Sequence, residues 1–265
     1  MRLKALTLFL AIQVLSFFVW KTMSTDIQVM AEGPAQITHA VSEEKIQPEF
    51  SVRHFSDSQE NLNDVLQERI KKALNSLPAE HVNTIEDIVL DYDTNAYRGL
   101  GGNNLIILRG VRMDEKEFIG VLVHETAHNV DYGFLVHKKE EETSNFKDGS
   151  YPLYITDLSV DFYRISWEDE NTLKNTASNL DFVSGYAMSD PFEDFAETYT
   201  YYVLHNEDFK ALVSSSPNLY AKYRFMKYRV FDGVEFNTGD GEVSIHNRPW
   251  DTTLLNYELK AFLTS

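Results

Sequence analysis

From Leu62 to Leu77 the apolar residues Leu62, Val65, Leu66, Ile70, Leu74 and Leu77 recur three and four apart, which predicts an amphipathic helix with one buried stripe. Asp57 or Ser58 is placed to cap its start and Pro78 to stop it. Two short apolar runs follow, Ile85–Tyr92 and Leu105–Leu108, with the length and residue types of strands. Between them lies Arg98-Gly99-Leu100-Gly101-Gly102-Asn103-Asn104. A phosphate loop would carry Lys-Ser/Thr and open a helix; this segment leads into a strand, so it reads as a hairpin turn or bulge.

The pattern changes after Met113. Asp114-Glu115-Lys116-Glu117 is an acidic first turn of the kind a helix N-terminus favours. Phe118, Ile119, Val121, Leu122, Val123, Ala127 and Val130 then cover most of a helix circumference, which predicts a central, buried helix ending near Gly133. Further on, Asp190-Pro191 opens a helix through Leu204, and two more are expected over Glu207–Val213 and Pro217–Phe231. The tail from Gly233 reads as turn followed by strand, with Thr252–Tyr257 as the strand.

This order predicts an α+β fold: a small sheet packed behind the 113–133 helix, followed by a mainly helical C-terminal lobe. The strand Asn104–Arg109, just before the central helix, is expected to form the upper wall of a cleft where an extended peptide adds by backbone pairing.

Composition narrows the setting. A chain of 265 residues is long enough for a proper core, and 13% aromatic content excludes a disordered tail. The net charge of −17 argues against nucleic acid and anionic membrane surfaces as partners. The absence of cysteine excludes disulfides, thiolate metal ligands and a cysteine nucleophile. At the N-terminus, Arg2 and Lys4 precede an apolar run from Ala5 to Trp20, which suits the core of a secretory signal better than a membrane span of about 20 residues. Val29-Met30-Ala31 offers a cleavage site far beyond Trp20, so export is favoured and an uncleaved anchor facing outward is the alternative. Three segments follow: 1–31 as signal or anchor, 32–56 as a polar, proline-containing linker or pro-segment, and 57–265 as the functional domain.

The chemistry is concentrated in the central helix. His124 and His128 are four apart, so their rings face the same way and can hold one zinc ion, and Glu125 beside them can take a proton from a water on that metal. Two histidines and a carboxylate on an apolar helix are costly without a partner. This constellation predicts zinc-dependent hydrolysis of a peptide or protein substrate. The metal needs a third protein ligand. Glu193 and Glu197, four apart in Asp190-Pro-Phe-Glu193-Asp-Phe-Ala-Glu197, are the best candidates, although Asp190 and Glu193 also have the spacing of an N-terminal capping box. The apolar, aromatic setting of these acids means at least one requires a partner. Tyr186, seven residues ahead of Glu193, is placed to donate a hydrogen bond to an oxyanion.

Taken together, His124-Glu125-Thr-Ala-His128-Asn-Val-Asp131, Tyr186 and Glu193-Asp-Phe-Ala-Glu197 resemble the catalytic domain of the anthrax lethal factor-like metallopeptidases, a group that includes secreted Pro-Pro endopeptidases. The resemblance covers about residues 80–230. It implies a zincin-like fold, one catalytic zinc, Glu193 as third ligand, Tyr186 as oxyanion donor, Glu197 as a residue steadying the site from behind, and Asp131 as an orienter after the second histidine. The insert between His128 and Tyr186 is longer than in the toxin, whose other domains are missing, so neither the toxin's substrates nor the Pro-Pro preference carries over.

Two other readings stay open. An exported interaction module could keep zinc for stability alone, in which case a fourth protein ligand is expected. The same centre could also hydrolyse something other than a peptide. The other histidines (His39, His54, His81, His137, His205 and His246) are scattered and read as surface or core. Tyr154, Tyr163, Trp167, Tyr199, Tyr201 and Tyr202 read as core or as walls of substrate subsites.

Overall fold

The computed structural model describes residues 50–54, 60–91, 97–109, 113–136, 142–244 and 246–265, all within the unit of residues 46–265. The export segment 1–31, most of the 32–56 linker, the helix-capping candidates Asp57 and Ser58, and His39 and His137 lie outside the described residues.

Strand β1 (Ser51–His54) is followed by helix α1 (Glu60–Leu74), a single turn α2 (Ala79–Val82), and strands β2 (Asp87–Asp91), β3 (Gly99–Gly102) and β4 (Leu105–Arg109). They form one sheet in the order β1-β2-β4-β3, with β1, β2 and β4 parallel and β3 antiparallel to β4. Residues 51–54, read above as the end of a linker, therefore belong to the sheet. In α1 the stripe of Leu66, Ile70 and Leu74 is buried as the periodicity predicts, as is Leu77 just past its end, but Val65 is exposed, because it lies off the i, i+4 line of the buried face.

The glycine-rich segment is a hairpin, as expected. Asn103 and Asn104 both have positive φ (51° and 63°), which matches the right-handed twist of the flanking strands. The expected cleft wall is corrected: β4 is bonded on both edges, to β2 and to β3, so the edge strand is β3. Glycine has low strand propensity, which hides β3 from a residue-by-residue reading.

Helix α3 (Glu115–Gly133) is capped by Asp114, whose side chain accepts from the Glu117 N–H at 3.0 Å. Its predicted apolar residues are all buried, and it packs against β3, β4 and the later helix α5. The 134–185 region is less helical than expected. It holds two hairpins, β5 (Thr143–Asp148) with β6 (Tyr151–Tyr154) and β7 (Trp167–Asp169) with β8 (Thr172–Leu173), separated by helix α4 (Leu158–Ser166). The first strand pair is mostly polar, with Phe146 and Leu153 alone buried, so no clear period announces it.

The C-terminal lobe holds α5 (Pro191–Leu204), α6 (Asn206–Leu212), α7 (Pro217–Phe225, continued by a π-type turn at Met226–Val230) and α8 (Leu259–Leu263). The expected strand at Thr252–Tyr257 is instead a 3₁₀ turn, Thr252–Leu254, because Asp251 caps it through the Thr253 N–H at 2.8 Å. Tyr163, Trp167, Tyr199, Tyr201 and Tyr202 are core residues; Tyr199, for example, binds buried His81 through its hydroxyl at 2.9 Å. The result is an α+β fold with a small sheet against α3 and a mainly helical second half. No helix among the described residues is long and apolar enough to cross a membrane.

Candidate metal centre

His124 and His128 lie one turn apart on the buried face of α3, and their rings meet edge to face. Glu193 comes to them from the first turn of α5. Its Oε2 is 3.1 Å from His124 Nε2 and 3.7 Å from His128 Nε2. Single ligand atoms of the three residues all lie within 4.8 Å of one another. The two readings of the Asp190–Glu193 pair are divided between them. Asp190 Oδ1 caps the helix by accepting from the N–H groups of Phe192 (2.9 Å) and Glu193 (2.8 Å), with Pro191 at the first position. The Glu193 side chain is left to face the histidines.

Two imidazole nitrogens and one carboxylate oxygen are a donor set that zinc accepts. The electrostatics agree with a cation site. Burial opposes charge on His124 and His128, yet the carboxylate contacts outweigh it and raise both pKa values, well above the usual range for His124. Burial pushes the Glu193 carboxyl up, but its close contacts with the two histidines win and hold it far below the usual range. A metal ion would take the place of those protons. Among the described residues no further His, Asp or Glu joins this ligand group. His81 and His205 are buried in the core away from it, and His246 is exposed.

Glu125 is 7% exposed, and burial raises its pKa, the direction that suits a general base. It lies under β3. A Cβ on Gly101 would sit 2.3 Å from the Glu125 carbonyl oxygen, so only glycine allows the strand this close. Tyr186 donates its hydroxyl to Oε1 of Glu193 at 3.0 Å, and burial followed by the Glu193 charge raises its pKa. The phenol therefore stays protonated, as a donor must.

Glu197 is fully buried behind His124, with Oε1 3.1 Å from its Nδ1. Three donors hold the carboxylate: the Ser184 hydroxyl at 2.5 Å, the Thr252 N–H at 2.9 Å and the Thr252 hydroxyl at 3.0 Å. Asp131 is also buried, but the hydrogen bond to its carboxylate comes from the Tyr163 hydroxyl, at 2.5 Å, and no such bond to His128 occurs among the described residues. Asp194, next to the ligand, is paired with fully buried Lys222 at 2.7 Å and receives the Trp167 indole N–H at 2.9 Å, which ties α5 to α7.

Ser184, Thr252, Trp250 and Arg98 were not expected at the site. Arg98 pairs with Glu117 at 2.9 Å and with Asp251, and so fastens the C-terminal segment beside β3. Hydrogen bonds from the Gly185 and Tyr186 N–H groups to the carbonyls of Pro249 (2.8 Å) and Trp250 (2.7 Å) fasten it beside Tyr186. No local spacing links residue 252 to residue 197, so nothing in the linear pattern could have found them. A cavity of about 530 Å³ opens over the centre, walled by β3, His124, Glu125, Tyr186 and Trp250.

These residues form a candidate zinc centre of two histidines and a glutamate, with the second glutamate, Glu125, beside it. The sequence profile of a family described as "Putative zinc-binding metallo-peptidase" matches residues 101–235, just over half of the chain. The chain belongs to that family. The match carries the zinc-binding peptidase class, and not the lethal factor-like type that the motif order resembles. No curated protein matches the chain.

Proposed function

We propose that this protein is a zinc metalloendopeptidase of zincin-like fold in which His124, His128 and Glu193 hold a single catalytic zinc. The observation that carries the reading is the convergence of Glu193 Oε2 on both histidine rings, with Glu125, on the same helix as the histidines, lining the cavity. Bound zinc would polarise the scissile carbonyl and lower the pKa of water toward about 7. Glu125 takes the proton of the attacking water and delivers it to the leaving amine. Tyr186 donates its hydroxyl to the developing oxyanion. Glu197 orients His124 from behind, fixed by Ser184 and Thr252.

In this reading the mechanism is the one that the lethal factor-like resemblance implies, and Asp131, three residues after His128 on α3, steadies that ligand. Export through residues 1–31 is part of the same proposal and rests on the N-terminal charge and apolar run alone. The rival, an exported interaction module with structural zinc, would fill the fourth position with a protein group; among the described residues none joins the three. Profiling a diverse peptide library with the zinc-loaded full chain tests the proposal. Chelator-sensitive internal cleavage is the expected result, and retained zinc with no cleavage would favour the rival.

A further inference from the structure

A second cavity, of about 400 Å³, adjoins the first and shares Leu100, Gly101, His128 and Glu193 with it. Gly99 lines only the first and Gly102 only the second, so the two follow one another along β3. Their chemistry differs. Arg98 and Arg109 line the first, whereas among the described residues no Lys or Arg lines the second. Besides the shared Glu193 its acids are Asp131, Asp148 and Asp190, and Val136, Leu153 and Phe192 supply an apolar wall.

Asp131 is the decisive group. It is 3% exposed, and Tyr163 donates to its Oδ2, yet its Oδ1 is enclosed with no hydrogen-bond partner. A buried carboxylate oxygen without a donor is costly and rare in native proteins. Burial accordingly lifts the Asp131 carboxyl to about 7. A positive group nearby would relieve that cost. The three acids do not converge as metal ligands: the metal-ligating group among the described residues is His124, His128 and Glu193. An acidic cavity with an apolar wall and dispersed carboxylates suits a point charge on a long hydrocarbon stem, the form of lysine and arginine.

We infer that this cavity is a substrate subsite that selects a lysine or arginine side chain on the N-terminal side of the cleaved bond. The side follows from β3. Among the described residues β3 pairs only with β4, so a peptide can add to its other edge, and antiparallel pairing is the more stable arrangement. Such a peptide runs from the Gly102 end toward Gly99, which brings its N-terminal half over the acidic cavity. Binding energy from the basic side chain then positions the bond over the zinc centre. The inference rests on the peptidase reading, and its test separates the two.

Peptides differing only by Lys or Met at each position around the bond are measured in two ways with the full chain: cleavage by the zinc-loaded protein, and affinity for the zinc-loaded Glu125→Gln variant. Lysine on the N-terminal side should raise kcat/KM and tighten Kd by about fivefold, the scale of one partly desolvated ion pair. Asp148→Asn, at the exposed rim, and Asp190→Asn, which keeps a capping side chain, should each shrink the Lys-to-Met ratio. Cleavage with no lysine preference, or a preference only on the C-terminal side, overturns the subsite and leaves the peptidase standing. If no peptide is cleaved the peptidase reading fails, and the Kd ratio still decides: a lysine preference that Asp148→Asn weakens supports the subsite, and equal affinities overturn it.

Discussion

Gly99 of β3 stands so close to Glu125 that a Cβ there would fall 2.2 Å from the carboxylate Oε1. The same strand approaches the backbone of Glu125 at Gly101. The two contacts have different consequences, because a carboxylate can swing aside and a helix carbonyl cannot. Gly99→Ala should keep fold and zinc but displace the base, lowering kcat/KM by about 100-fold. Gly101→Ala should instead lower the melting temperature, with a cost of roughly 1–3 kcal/mol from overpacking. Thermal melts and kinetics of the two variants check this; equal loss of stability in both would refute the distinction.

Glu125→Gln keeps the side chain's shape and removes its basicity. Zinc content should match the parent, and cleavage should fall by at least about 10²-fold. Full activity in that variant would sink the assignment of the base.

The metal assignments separate by degree. Glu193→Ala should abolish stoichiometric zinc binding. Glu197→Ala, which frees His124 from behind, should weaken it by about 10–100-fold. Thr252→Val removes one of the donors holding Glu197 and should shift zinc affinity the same way by less, with Thr252→Ser restoring it. Competitive titration against a chelator measures all four. Complete zinc loss in Glu197→Ala with zinc retained in Glu193→Ala would move the third ligand one turn along α5.

Tyr186 touches Glu193 and borders the cavity. Tyr186→Phe should leave zinc affinity near the parent value and lower kcat by about 10²-fold with little change in KM, the pattern of an interaction made in the transition state. A rise in KM at constant kcat would assign the hydroxyl to ground-state binding.

Asp131 gives a pH signature. Its folded pKa of about 7 lies above its ordinary 3.8 because it is buried. The native state thus holds this proton more tightly than the unfolded chain, and stability falls as pH rises through that interval, with no further loss above about 7. Asp131→Asn removes the effect. In metal-stripped protein, the variant's melting temperature relative to the parent should climb from pH 4 to pH 7 and then level off. A difference independent of pH would show that Asp131 titrates normally.

Much of this was legible locally. The central helix could be read because its apolar residues cover most of its circumference, and His124, Glu125 and His128 are neighbours on it. Helix α5 carried its own start signal in Asp190-Pro191. Where the pattern misled, longer-range contacts had overridden local preference. β3 is a strand by virtue of its pairing with β4 and its fit over Glu125, and Thr252–Tyr257 has strand-like residues that a cap at Asp251 turns into a 3₁₀ helix.

The linear chain by itself determined the candidate metal-binding pair, the glutamate between them and a short list of acids for the third position, because helical spacing sets which side chains share a face. Only the tertiary structure decided which acid of that list meets the histidines, and that the next glutamate stands behind His124. It also brought residues 249–253 to lock that arrangement, and set an acidic cavity beside an arginine-lined one. Those relations join residues up to 153 positions apart, as in Arg98 with Asp251, and no local period encodes such a distance. They exist because burying α3 between the sheet and α5 leaves the few polar groups of the two helices to find partners among one another.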